Sequence, residues 1–233
     1  MNENAQAKES LEMVRRSLKS RRFSAVELLI ALALLFFFFP FVEEVKGGDL
    51  IVSLLLSLVL LSGVLAVSDR KGVLLIALVL AIPAIAGRWI NHFRPDLVRP
   101  AVFLTAALVL TAFVVVNLLR FVWRAPSVNI EVLCASISAY LMLGLMWTMA
   151  YWLVDQLTPG AFAFNVGPRS MNGFNGFYFS FITLSTVGYG DITPVSRIAR
   201  WLAAMEAMTG LLYVAILISR LVGLYSSPKS NDS

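Results

Sequence analysis

The chain has 233 residues, of which 59% are hydrophobic and 14% charged. Soluble domains carry roughly 45–50% apolar and about 25% charged residues, so both values indicate a membrane protein and exclude a disordered chain or an ordinary cytosolic enzyme. One cysteine, Cys134, excludes a disulfide-stabilised scaffold, and the one histidine, His92, allows no histidine metal site in a single copy. The net charge of +5 fits basic loops beside membrane spans, so we expect no nucleic-acid partner.

Six stretches with few or no charges are candidate membrane helices, because a helical span needs about 20 mostly apolar residues. In chain order they are 23–42, 50–68, 72–87, 100–119, 132–154 and 201–219. A seventh uncharged stretch, 170–190, has glycines near both ends and is continuously apolar only over 177–184. A half-length helix followed by a glycine-rich strand predicts a re-entrant segment. We therefore expect an all-α membrane protein with six transmembrane helices and one re-entrant segment.

The chain is predicted to divide near Pro126, which breaks a helix. The expected units are a basic amino-terminal arm, a four-helix bundle, an intracellular linker, a second membrane unit and a short tail, over residues 1–22, 23–120, 121–130, 131–224 and 225–233. With six spans, twelve basic residues fall on the side of the arm and seven on the other. Because basic loops stay in the cytoplasm, both termini are predicted to be cytoplasmic, in a plasma-type or bacterial inner membrane.

The re-entrant segment ends in Thr186-Val187-Gly188-Tyr189-Gly190-Asp191. This run resembles, position for position, the signature of tetrameric potassium channels, and a chance match of six positions has a probability on the order of 10⁻⁵. Residues 130–224 look like the pore domain of that family, with an outer helix, a pore helix, a selectivity filter and an inner helix. The absence of long loops and regulatory domains fits a prokaryotic type.

The resemblance implies that backbone carbonyls of Thr186, Val187, Gly188 and Tyr189, with the Thr186 hydroxyl, replace the water shell of K⁺. Carbonyls of consecutive residues face one axis only if the backbone alternates in handedness, and Gly188 and Gly190 permit the positive φ that this requires. The side chains of Val187 and Tyr189 are expected to point away and support the loop from behind. Asp191 would form a ring of carboxylates at the outer mouth.

One such loop per chain implies a homotetramer in membrane lipid. Filter support is expected from Tyr178 and Phe179, which stand where family members often have tryptophan, and from Thr183. Phe179 cannot bond the Tyr189 hydroxyl, although Tyr178 can.

Glu206 is the carboxylate deepest in a predicted span, which marks it as a candidate functional group. We expect it behind the filter, hydrogen-bonded to Thr183, Ser185 or a backbone amide. A pH-sensing group and a cation site in the cavity are the alternatives.

Gly210 lies where the family's inner helix commonly has a hinge, although a glycine there also allows close helix packing. If Gly210 faces the pore helix, the residues one, four, five and eight positions later turn toward the axis. These residues are predicted to form the cavity wall and a gate: Leu211, Val214, Ala215 and Ile218.

The fourth span, 100–119, has no arginine, whereas a voltage sensor carries charge inside the field. The expectation is a passive potassium-selective channel without a conventional voltage sensor and with no cofactor besides the permeant K⁺. A weakly selective cation channel and a non-conducting regulatory subunit are the alternatives. No enzyme is expected, because the sequence has no nucleophile–histidine–acid set, phosphate-binding loop or metal-ligand cluster.

Overall fold

The computed structural model describes residues 25–42, 45–67, 71–94, 96–165 and 170–226, without the side chains of 71, 221 and 223–226. The predicted arm, residues 1–22, lies outside the described residues, as does the predicted tail from residue 227 onward. The division into five units stays a prediction.

The described residues form seven helices and two short strands. In chain order these are α1 (Ala25–Val42), α2 (Gly48–Ala66), α3 (Lys71–Phe93), α4 (Pro100–Arg124), α5 (Ile130–Leu157), β1 (Phe162–Phe164), α6 (Phe174–Leu184), β2 (Ile192–Pro194) and α7 (Arg197–Ser226). All of these helices except α6 are long and apolar enough to cross a membrane. The predicted all-α membrane fold, with one short helix between the last two spans, is confirmed.

Several helix ends differ from the sequence prediction. Helices α5 and α7 extend beyond the predicted spans 132–154 and 201–219 at both ends, and α3 and α4 extend at their carboxyl ends. The third span was expected to end at Gly87, but α3 continues to Phe93 because Arg88 is accommodated inside the bundle, where its Nε donates to Ser53 Oγ at 3.0 Å. The fourth span was expected to end at residue 119, but α4 continues to Arg124. A basic residue in the last turn suits the negative end of a helix dipole, and Pro126 follows directly. Much of the predicted linker 121–130 is therefore helical.

The bundle joins the second half of the chain through two contacts. Helix α4 packs along α5, and α1 packs against α6. The α1 contact is aromatic, with the ring of Phe36 at 4.8 Å from Phe177 and 4.5 Å from Phe181, both edge-on. The pore-helix candidate α6 is thus held from behind by the first helix of the bundle as well as by α5 and α7.

Strands β1 and β2 form an antiparallel pair that the sequence did not predict. Phe162 pairs with Pro194 and Phe164 with Ile192. Strands of three residues are too short to show a period in the sequence. The pair closes the segment on either side of α6, and it fixes the point from which the chain leaves the filter for α7.

Candidate functional site: a filter loop between α6 and α7

The residues that resemble a selectivity filter, 186–191, begin two residues after the last residue of α6, and we call them the filter loop. Their amides bond back onto the open carboxyl end of that helix: Val187 N and Gly188 N donate to Ile182 O, at 2.9 and 3.1 Å, and Thr186 N donates to Thr183 O at 2.9 Å. The last carbonyls of a helix have no partner within it, so they can hold the loop that follows. The negative end of the α6 dipole therefore faces the filter loop.

The backbone of this loop alternates in handedness. The angle φ is positive at Thr186 (61°), Gly188 (53°) and Gly190 (79°), and it is not positive at Val187 or Tyr189 between them. The sequence indicated the two glycines but not Thr186. A β-branched residue rarely adopts positive φ, and such a residue costs of order 1–3 kcal/mol unless its surroundings hold it. Thr186 is therefore the strained point of the loop.

The loop is open to its surroundings when one chain stands alone. Residues 185–190 are all exposed, and the side chains of Val187 and Tyr189 are 53% and 73% exposed. The expectation that these two side chains support the loop from behind is not met by contacts within one chain. The described residues of the same chain therefore leave most of these two side chains uncovered.

At the outer mouth, Asp191 is tied to two other segments of the chain. Its carboxylate lies near the hydroxyl of Tyr178 of α6. The carbonyl of Asp191 accepts from Asn165 N at 2.9 Å, and Asn165 Nδ2 donates to Gly190 O at 3.1 Å. Asn165 directly follows β1, and sequence reasoning missed it because nothing in the pattern predicted the strand pair.

The predicted supports lie at different depths around α6. Phe179 is buried against the rings of Tyr151 and Phe162, at 4.9 and 5.7 Å. It therefore faces α5 and β1 rather than the filter loop. Thr183 contributes its backbone carbonyl to Thr186 N, and Tyr178 reaches Asp191.

Glu206 lies against α6, but with other partners than the sequence suggested. Its Oε1 is 2.6 Å from Ser180 Oγ and its Oε2 is 2.5 Å from the Tyr151 hydroxyl, and the residue is fully buried. The expected bonds to Thr183, Ser185 or a backbone amide are wrong. The reason is register: Gly210 meets α6 at Leu184, and Glu206, one turn earlier in α7, meets α6 one turn earlier, at Ser180.

Two glycines allow the helices around the filter to approach closely. A Cβ on Gly210 would overlap the carbonyl oxygen of Leu184, the last residue of α6. A Cβ on Gly144 of α5 would overlap the ring of Phe181. The packing interpretation of Gly210 thus has a structural basis, and its role as a hinge stays a prediction.

The predicted cavity-wall residues lie on the open side of α7. Leu211, Val214, Ala215 and Ile218 are all exposed in the single chain. Besides the contacts of Glu206 and Gly210, two hydrogen bonds hold the other side of α7. The Tyr213 hydroxyl donates to Ser136 O of α5 at 2.5 Å, and Arg220 Nη2 donates to Ala125 O at 3.0 Å. Sequence reasoning indicated neither contact.

The described fold has six helices that are long and apolar enough to cross a membrane, and the filter loop lies between the last two of them. Residues 133–227 match the sequence model of a family described as ion channel. That range contains most of α5, all of α6, the filter loop and α7.

Curated relatives match parts of the chain. The chain is 27% identical over 93 residues to the inward rectifier potassium channel Kirbac3.1 of Paramagnetospirillum magnetotacticum, covering 38% of this chain and 28% of that protein. It is 34% identical over 83 residues to the two pore potassium channel b of Oryza sativa subsp. japonica, covering 35% and 21%. It is 49% identical over 45 residues to protein LctB of Geobacillus stearothermophilus, covering 19% and 33%. The chain thus spans a third or less of the length of these relatives. No solved structure gives a significant match.

Proposed function

We propose that the protein is a potassium-selective channel that conducts K⁺ passively through a homotetrameric pore. One observation carries the proposal: the run Thr186–Gly190 alternates in backbone handedness at the carboxyl end of α6. Such alternation turns successive carbonyls to one side, where they can replace the water shell of a cation. The similarity to proteins named as potassium channels supports the choice of ion.

Four copies are the natural completion of this site. One chain supplies one wall of a pore, and closed rotational symmetry brings four such walls around one axis. The exposed side chains of Val187 and Tyr189, and the exposed apolar side of α7, are the surfaces that neighbouring copies would cover.

Gating by a conventional voltage sensor is not part of the proposal. Helix α4 has no basic residue before Arg120, and Arg120 and Arg124 lie in its last turns. A charge contributes about 2.3 kcal/mol per 100 mV only when it crosses the field. The orientation proposed, with both termini in the cytoplasm, follows from the larger number of basic residues on the side of the amino-terminal arm.

The test is flux from proteoliposomes that hold the purified protein, with an outward K⁺ gradient and a protonophore. We expect flux with K⁺ and none in vesicles that contain only Na⁺. Gly188→Asp should abolish the flux, because it puts a side chain on a residue with φ of 53° inside the filter. Gly160→Asp is the matched control, because Gly160 has φ of 78° and open space but lies outside the filter.

Each alternative predicts another pattern. Equal flux of K⁺ and Na⁺ would contradict potassium selectivity and favour a weakly selective cation channel. Absence of flux in the wild-type protein at every pH and potential, with a tetramer present by crosslinking, would favour the non-conducting regulatory subunit. Equal loss in the Gly188 and Gly160 variants would contradict the assignment of the pore to the filter loop.

A further inference from the structure

The buried contacts around Glu206 form a chain of oxygen atoms across three helices. Gly144 O of α5 lies 2.8 Å from Ser180 Oγ of α6, which lies 2.6 Å from Glu206 Oε1 of α7. The other carboxyl oxygen of Glu206 lies 2.5 Å from the Tyr151 hydroxyl, again on α5. All three side chains are fully buried.

Three oxygen–oxygen contacts of this length need three protons. The hydroxyls of Ser180 and Tyr151 each supply one, and the carbonyl of Gly144 supplies none. The third proton has to be on Glu206. Ser180 then donates to Gly144 O, Glu206 donates to Ser180 Oγ, and Tyr151 donates to the remaining carboxyl oxygen, so that every contact has one donor and one acceptor.

If Glu206 were ionised, this row of oxygen atoms would have one proton too few for its three hydrogen bonds. Ser180 could donate to Gly144 O or to Glu206, and the other pair of oxygens would face each other without a hydrogen. The charge would also lie inside a membrane span, where it is costly unless it is paired. Glu206 itself forms no ion pair with another described residue.

The groups that face Glu206 are acidic or neutral in the described part of the chain. Helix α5 presents the phenols of Tyr151 and, at greater distance, Tyr140. Helix α6 presents the hydroxyl of Ser180. Neither helix offers Glu206 a cation that would favour its charged form.

We propose that Glu206 carries a proton at neutral pH and acts as a positioning residue, a neutral clamp that joins α5, α6 and α7 one turn behind the filter. Loss of this proton at alkaline pH releases α7 from α6. The clamp lies close to the filter, since Leu184, which packs on Gly210, stands one helical turn after Ser180 and two residues before Thr186. The flux measurement below relies on the proposed function, whereas the spectroscopic and stability measurements do not.

The first test is infrared spectroscopy of the purified protein in D₂O at pH 7, as a difference between the wild type and Glu206→Gln. The chain has 14 acidic residues, and the subtraction isolates one of them. We expect the carbonyl stretch of a protonated carboxylic acid in the wild type, and its disappearance as the pH is raised. A carboxylate signal at pH 7 in its place would overturn the proposal.

The second test compares stability and flux across alkaline pH. Glutamine keeps the neutral pattern, because its amide donates to Ser180 and its oxygen accepts from Tyr151. We expect Glu206→Gln to retain flux within about twofold at pH 7 and to lose the alkaline fall in unfolding temperature and flux that the wild type shows. Glu206→Leu should have a lower unfolding temperature and a lower flux than the wild type at every pH. An unchanged alkaline fall in Glu206→Gln would overturn the proposal.

Tyr151→Phe is a second variant in case Glu206→Gln does not fold. It removes one donor to the carboxyl group and leaves the proton on the other oxygen, so the protonated carbonyl stretch should shift rather than vanish. A band that does not move would contradict the assigned contact. If the wild type gives no flux but shows the protonated band, the proposed function fails and the clamp stands. If the wild type gives K⁺ flux but shows a carboxylate signal at pH 7, the proposed function stands and the clamp fails.

Discussion

The two long helices that flank the filter differ in how far their own chain buries them. In its most apolar stretch α5 has 61% of its residues buried, whereas α7 has 11%. Helix α5 lies between α4 of the bundle and α6, and its small residues, such as Gly144, admit the neighbouring side chains. Helix α7 contacts α5, α6 and β2 along one side only.

For the proposed channel, the difference indicates which half of the pore wall one chain would build alone. The outer wall, α5 with α6, is completed by packing within the chain. The inner wall, α7, is attached at a few points. Gly210 packs closely on Leu184, Glu206 contacts α5 and α6, and Tyr213 and Arg220 each form one hydrogen bond. Since these contacts are few, each one should matter more for α7 than a comparable contact does for α5.

The largest effect is expected for Gly210→Ala. The new methyl group would overlap the Leu184 carbonyl, which belongs to the backbone and cannot rotate away. We expect a loss of about 3 kcal/mol in the free energy of unfolding, at the upper end of overpacking effects. Unfolding in mixed micelles with rising SDS measures it. Gly72→Ala is the control, because its Cβ meets open space, and it should be neutral or stabilising by up to about 1 kcal/mol.

A smaller loss is expected for Gly144→Ala on α5. The methyl group meets the ring of Phe181, which is a side chain but is held between Phe36 and Phe177, at 4.5 and 4.7 Å. We expect a cost of about 1–2 kcal/mol by the same unfolding assay. Combining it with Phe181→Leu should recover part of that cost, since the two residues are in contact. Strict additivity would show that the ring is not the obstacle.

Tyr213→Phe removes one of the polar contacts between α7 and α5. The loss of its bond to Ser136 O should cost about 1 kcal/mol, because the aromatic packing on Tyr140 at 5.5 Å is retained. Thr209→Val is the control: its hydroxyl bonds only within α7, to Met205 O, and we expect little change. A larger loss in the Thr209 variant would weaken the comparison between the two helices.

The smallest effect is expected in the bundle, for Asp49→Asn. Asp49 contacts Arg88 at 3.3 Å and His92 at 2.7 Å, but its side chain is 68% exposed. Asp49 is the exposed partner, and Arg88 keeps its bond to Ser53 Oγ when Asp49 is replaced, so the loss should be about 0–1 kcal/mol and shrink at high salt. Unfolding at low and high salt tests this. A loss above the range, or a change in K⁺ flux, would show that the bundle and the filter are more tightly coupled than their contacts indicate.

The sequence was sufficient for the parts of the fold that depend on long apolar stretches and on the filter run. It predicted six spans and a short helix before Thr186, because length and hydropathy decide where a membrane helix can form. It misplaced the end of α3, since Arg88 reads as a loop residue until Ser53 and Asp49 are placed beside it. A charge that finds its partner in another helix cannot be located from its own segment.

The contacts around the filter were less predictable for a related reason. Glu206 was recognised as unusual, but its partners depend on the register between α6 and α7, which Gly210 and Leu184 determine. Asn165 at the outer mouth depends on a strand pair of three residues, and the positive φ of Thr186 depends on the loop as a whole. These features follow from tertiary packing, which local patterns do not encode.

The open filter loop of the single chain has a genetic consequence. Residues 185–190 are exposed in the single chain, and in the proposed tetramer the filter would be contributed equally by every copy. In the proposed tetramer, a copy with a damaged filter would enter the complex as readily as an intact one, because α5, α6 and α7 pack within their own chain. One defective allele would therefore act dominantly and silence pores that also contain intact copies.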